Sequence, residues 1–261
     1  MTLFLIKLIA TPLIVAAAGW ASRRWGAAAG GWMAGMPVTS GPISVFLAYE
    51  YGPQFAAQAA LGTLYAMPAI AACAVGYVWA ARRGHGWVIS MIACQGSYLA
   101  MIALLLPLGA STVVVFVLSL VALVCGIATV GLRERPMLPS MSSRSVLLLR
   151  IMVATGLVLI VTLIAPLLGP TLSGLAGTIM IIAAVLAAAS HIEHGPKGGI
   201  AVIRGMILGQ VAFLAFYTVV WALLPSLEML TYLPALIAAG VTGFVVSRAT
   251  SRLSLSAQRS G

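Results

Sequence analysis

Long apolar runs alternate with short polar connections along the whole chain. A hydrocarbon core of about 30 Å is crossed by about 20 apolar residues in helical conformation. Each run therefore predicts a membrane-spanning α-helix. On that rule nine spans are predicted, at residues 2–20, 27–48, 53–80, 87–106, 110–132, 146–168, 172–190, 198–224 and 227–246. The fourth and fifth are separated only by Pro107-Leu108-Gly109, which reads as a tight turn between two helices.

Composition agrees with the pattern. Of 261 residues, 62% are hydrophobic and only 7% are charged, with a mean hydropathy of +1.13, whereas a soluble domain is about 25% charged. The chain has no Asp, and its four acidic residues are Glu50, Glu134, Glu193 and Glu228. Chemistry built on paired Asp residues or Walker-type magnesium sites is thereby excluded. The 14 Lys and Arg give a net charge of +10. They cluster between the apolar runs and not in a stripe with interleaved aromatics, so they argue against nucleic acid as a partner. Cys73, Cys94 and Cys125 lie inside apolar runs and read as small buried hydrophobes, not a disulfide or metal framework.

The basic clusters set an orientation. Arg23 and Arg24 follow span one, Arg82 and Arg83 follow span three, and Arg133, Arg135 and Arg144 follow span five. Lys197 precedes span eight, and Arg248, Arg252 and Arg259 follow span nine. Basic connections are retained in the cytoplasm, which predicts a multi-pass protein of the bacterial inner membrane with its N-terminus outside and C-terminus inside. Span one is expected to stay as a helix, because a signal peptide puts its basic residues before the apolar stretch and here the arginine pair follows it.

One motif recurs. Glu50-Tyr51-Gly52-Pro53 reappears as Glu193-His194-Gly195-Pro196, and each Pro is followed nine residues later by a Gly, at Gly62 and Gly205. The same offset aligns Leu5-Ile6-Lys7 with Leu148-Leu149-Arg150, and with a shift of one it aligns Ala34-Gly35 with Ala176-Gly177. Spans one to four thus map onto six to nine, with span five as connector. An offset of five spans is odd, so the two copies are expected to be inserted upside down relative to each other, as in the inverted repeats of secondary transporters. The expected organisation is a first four-helix repeat over 1–109, a connector helix and basic loop over 110–145, and an inverted second repeat over 146–261.

Each half resembles the GlpM-like family of small four-helix bacterial inner-membrane proteins. The resemblance rests on Leu5-Ile6-Lys7, on Ala34-Gly35 at the start of span two, and on Glu50-x-Gly52 before span three. It covers most of the first half and the second half only weakly. It implies a helical bundle in the inner membrane, here in tandem, and brings no activity with it.

The residues with chemistry are few. Pro37 and Pro42 flank Val38-Thr39-Ser40-Gly41 within span two, and two prolines there are expected to break the helix. The half-helix starting near Pro42 would aim its amides at the midplane, a site suited to an anion or carboxylate. The matching stretch of the second copy, Ile181 to Val185, carries no proline and is expected to run unbroken. Gln58 and Gln95, with Gln54, Ser97, Tyr98 and Gln210, are read as lining a polar cavity or bonding between helices. Glu50 and Glu193 are candidate coupling or gating carboxylates, or else simply orient their Gly-Pro corners. Lys7 and Arg204 lie close enough to span ends to be expected to snorkel to the interface. His191 and His194 share a helix face beside Glu193, too few ligands for a metal, and no nucleophile elbow exists. Gly26-x-x-x-Gly30, Gly31-x-x-x-Gly35 and Gly205-x-x-x-Gly209 are expected to let helices approach closely.

The sequence therefore points to an all-α polytopic membrane protein, an inverted 4+1+4 bundle without cofactor, metal or catalysis. Its expected function is secondary transport of a small solute, with an anion favoured by the broken helix. The expected site is Pro37, Thr39, Ser40, Gly41, Pro42, Gln58 and Gln95, coupled through Glu50 and Glu193. Its partners would be membrane lipids and a small-molecule or ion substrate, with self-association left open. The competing reading is a membrane scaffold or assembly factor that transports nothing.

Overall fold

The computed structural model describes residues 2–24, 37–38, 40–109, 111–131, 144–178 and 181–259. All regular structure among them is helical. In chain order the helices are α1 (Thr2–Arg24), α2 (Ser40–Tyr51), α3 (Pro53–Tyr65), α4 (Met67–Arg82), α5 (Trp87–Leu105), α6 (Thr112–Val130), α7 (Arg144–Ala176), α8 (Ile181–Leu227) and α9 (Tyr232–Arg259). Among the described residues five stretches are long and apolar enough to cross a membrane: Pro53–Arg82, Trp87–Leu108, Thr112–Val130, Ile151–Ala176 and Leu186–Ala249. Large apolar side chains such as Leu167, 87% exposed, and Leu163, 77% exposed, cover the outside, as a lipid-facing surface requires.

Glycine followed by proline punctuates the bundle. Gly52 (φ 90°, ψ 163°) separates α2 from α3, and Pro53 opens α3. Gly195 (φ 70°, ψ −168°) breaks α8 in the same way before Pro196, and Gly169 (φ 72°, ψ 173°) breaks α7 before Pro170. Proline forces its predecessor out of the helical region, glycine alone takes the positive φ without strain, and proline then starts the next helix where no amide partner is needed. Between α5 and α6 the chain makes one 3₁₀ turn, Leu106–Leu108, and reverses at Gly109 in the left-handed region, as the tight turn was predicted to do.

The centre of the bundle is α3 and α4. Their run of 30 residues, Pro53–Arg82, is the most buried of the long apolar stretches. α3 packs against α7 and α8, while α4 packs against α5, α6 and α8; α1 lies on α7 and α9 on α8. Small residues make these crossings close. A Cβ at Gly62 would strike the Thr171 carbonyl, one at Gly174 the Ala59 carbonyl, and one at Gly76 the Ser97 hydroxyl. Gly205 has nothing within 4 Å of such a Cβ, so no close approach occurs at that glycine of its motif; the residues of the two other expected motifs lie outside those described.

The structure corrects the expectation about the cysteines. Cys73 and Cys94 form a disulfide between α4 and α5. The reason is the approach at Gly76, which brings facing positions of the two helices together. Cys125 is free and exposed on α6.

Candidate functional site

Of the expected break in span two, the described residues show the far side only, the residues before Pro37 lying outside them. Pro37 and Val38 are not helical, and α2 begins at Ser40. In the second copy the stretch Ile181 to Val185 is helical, as expected, but the predicted span 172–190 does not run as one helix: α7 ends at Ala176, Gly177 and Thr178 form a turn, and α8 starts at Ile181. The Gly177 amide bonds the Ser173 carbonyl at 3.1 Å and the Thr178 amide bonds the Leu175 carbonyl at 3.1 Å. A glycine turn does there what prolines do in the first copy.

A small cavity lies where the start of α2, the last turn of α7, α3 and α8 meet. Its polar lining comes from Ser40 and Ser44 of α2, Thr63 of α3, Ser173 of α7 and Tyr217 of α8, with Gly174 and Gly177 leaving space beside them. It measures about 10 Å³ for the centre of a water, room for about one water molecule. No charged side chain lines it.

The hydroxyls are held in place. Thr63 Oγ1 donates to the Ala59 carbonyl at 3.0 Å and lies 3.2 Å from the Gly174 carbonyl. Ser173 Oγ donates to the Gly169 carbonyl at 2.7 Å. Ser44 Oγ bonds the Tyr232 hydroxyl at 3.0 Å, and Tyr217 bonds the Ser40 side chain. On the opposite side one tyrosine bonds the turn after α7 and another bonds α8 further along. Tyr98 of α5 bonds Thr178 Oγ1 at 2.9 Å, and Tyr77 of α4 bonds Nδ1 of His191 at 2.9 Å.

The expected site residues separate into two groups. Ser40 lines the cavity; Pro37, Gly41 and Pro42 are buried at the break behind it, with Gly41 packed near Pro37 and Phe216. Thr39 lies outside the described residues. Gln58 is exposed on α3, and Gln95 is half-buried on α5 with Cys73 as its neighbour; neither lines the cavity. Ser44, Thr63, Ser173 and Tyr217 line it instead. Of these only Ser44, one turn after Ser40, carries a signal in the sequence; hydroxyl residues are too common in membrane helices for the others to stand out.

Glu50 and Glu193 differ sharply. Glu50 is paired with Lys7: Nζ lies 2.6 Å from Oε1 and 2.7 Å from Oε2, and it also donates to Thr162 Oγ1 at 2.7 Å. Lys7 is only 6% exposed, and its ammonium also lies 5.6 Å from the Phe46 ring centroid. The snorkelling expected of Lys7 is therefore wrong, because Glu50 and Thr162 supply the partners that the interface would otherwise provide. Next to them, Tyr51 donates to the Thr162 carbonyl at 2.7 Å. Glu193 is exposed, with His194 Nδ1 3.8 Å away. His191 turns inward to Tyr77 while His194 faces out, so the three do not converge.

Arg204 does not snorkel either. It is buried, and its Nε donates to the Gly131 carbonyl at 2.7 Å. Arg82 donates to the Thr129 and Val130 carbonyls, both at 3.1 Å. Two guanidinium groups thus satisfy the last carbonyls of α6, where a helix end favours positive charge.

The two Glu-x-Gly-Pro corners lie at opposite ends of the α3–α4 run. The first immediately precedes Pro53. The second follows His191, which is bonded to Tyr77 near the far end of that run. At 1.5 Å per residue, the 25 residues from Gly52 to Tyr77 span roughly 37 Å along the helices, more than the hydrocarbon thickness of about 30 Å.

No family model, curated protein or solved structure matches the chain.

Proposed function

We propose that the protein is a secondary transporter of the bacterial inner membrane that moves a small solute by alternating access. In this reading it is a nine-span inverted 4+1+4 repeat, with its N-terminus outside, its C-terminus in the cytoplasm, and each half akin to a GlpM-like unit. The observation that carries the proposal is the pairing of opposites. Two corners of the same Glu-x-Gly-Pro motif and similar backbone form sit about a membrane thickness apart, and the start of α2 and the end of α7 meet at one hydroxyl-lined cavity. Discontinuous helices meeting between inverted repeats are where secondary transporters hold their cargo.

Glu50 is then a gating residue. It holds Lys7 within the first half while Lys7 bonds Thr162 of α7 in the second, so a rocking of one half against the other must strain or break the Lys7–Thr162 bond. Glu193, exposed at the other corner, has no such lock among the described residues.

The cavity's size favours a second reading, a scaffold that transports nothing, because room for about one water is little for a solute. Accessibility separates the two. Ser44→Cys and Ser173→Cys would be made in a background without the native cysteines and treated with a small impermeant thiol reagent. Transport predicts reaction in both right-side-out and inside-out vesicles. A scaffold predicts protection from at least one side in every condition, and that result overturns the proposal.

A further inference from the structure

The chemistry of the cavity lining is that of a cation site, not of the anion cradle expected from the broken helix. At the start of α2, Pro42 has no amide proton, and the Gly41 amide is bonded to the Pro37 carbonyl at 2.7 Å. Two of the first three amides of that helix are therefore unable to serve an anion. The opposite wall is the C-terminal end of α7, where a helix presents carbonyls and partial negative charge.

The hydroxyls point to the same sign. A hydroxyl has one proton and two lone pairs. Thr63 and Ser173 direct their protons to backbone carbonyls, so toward a guest they offer lone pairs only. The Gly174 carbonyl stands beside Thr63 at 3.2 Å and has a second lone pair of its own. Ser40 and Ser44 are each bonded to a tyrosine hydroxyl, and a hydroxyl can donate to its neighbour while accepting a cation. The oxygens belong to α2, α3 and α7.

Charge and size narrow the guest. Calcium and magnesium sites draw on carboxylates, and none lines this cavity. The space holds nothing larger than about one water, so an organic or hydrated cation is excluded and a monovalent ion enters only without its shell. We infer that the cavity between Ser40, Ser44, Thr63, Ser173 and the Gly174 carbonyl binds a dehydrated sodium ion. As a coupling site for solute movement this rests on the transport reading; as a binding site it stands without it. Sodium would tie the start of α2 to the end of α7, and its departure would loosen the contact that alternating access has to release.

The test is thermal unfolding of the full chain in detergent, in sodium, potassium or choline chloride at equal ionic strength. Sodium is expected to raise the midpoint saturably, with little effect from the other two. Thr63→Val and Ser173→Ala are each expected to weaken the apparent sodium affinity by about tenfold or more, as loss of one oxygen ligand to a charge implies. Thr63→Ser keeps the hydroxyl and should restore the response, which separates a lost ligand from a damaged fold. Equal midpoints in the three salts overturn the inference, and so does a full sodium response in both Thr63→Val and Ser173→Ala. The accessibility experiment gives an independent result: sodium stabilisation with a cavity closed to one side overturns transport but keeps the site. Reaction from both sides without a sodium effect does the reverse.

Discussion

Lys7 and Glu50 form a buried ion pair, with Nζ 2.6 Å from Oε1. The two residues are 43 positions apart, and the Thr162 hydroxyl completes the arrangement from a third helix. Removing one member of a buried pair leaves the other charge uncompensated, whereas removing both is far less costly. Lys7→Met is therefore expected to destabilise the protein by about 3 kcal/mol, the low end for a buried pair, because Glu50 keeps 19% of its side chain exposed. The double variant Lys7→Met with Glu50→Leu should recover most of that loss. Chemical unfolding of the four proteins in one detergent completes the cycle, and equal losses in single and double variants would refute the pairing.

Glycine positions separate close crossings from open surface. A Cβ at Gly174 meets backbone at Ala59, which cannot move aside without shifting α3. Gly174→Ala is expected to cost about 3 kcal/mol, near the upper range for overpacking, or to prevent folding. Gly205→Ala meets nothing within 4 Å and is expected to be neutral or to gain about 0.5–1 kcal/mol from helix propensity. Expression level and thermal midpoint of the two variants measure the contrast.

Gln210 is buried in α8, and its Oε1 has no hydrogen-bond partner. A buried acceptor left unpaired costs about 1–3 kcal/mol, and an apolar side chain of similar size escapes that cost. Gln210→Leu is expected to raise stability by about 1 kcal/mol. A clear loss of thermal stability would mean that the oxygen is used.

Much of the fold was legible where covalent geometry decides it. The Gly-Pro corners at Gly52 and Gly195 and the turn at Gly109 follow from what proline and glycine permit, whatever surrounds them. The start of α2 was legible from Pro37 and Pro42 for the same reason. The break after Ala176 was missed because Gly177-Thr178 has no proline, and glycine inside an apolar run does not by itself end a helix. The site was half legible. Ser40 stood out beside two prolines, but Thr63, Ser173 and Tyr217 reach the cavity only through the crossings at Gly62 and Gly174. Burial of Lys7 and Arg204 was hidden for a related reason. Proximity to a span end says that a basic side chain can reach water, and only the tertiary structure shows that partners make this unnecessary.

The central claim is that the two corners face opposite sides of the membrane. It is tested most directly by single cysteines at exposed positions beside each corner, Gln54→Cys and His194→Cys, with Cys73, Cys94 and Cys125 replaced. A membrane-impermeant maleimide would be applied to intact cells and, separately, after lysis. The inverted repeat predicts that position 54 is labelled in intact cells and position 194 only after lysis. Labelling of both from the same side would contradict it, and the transporter reading would lose its main support.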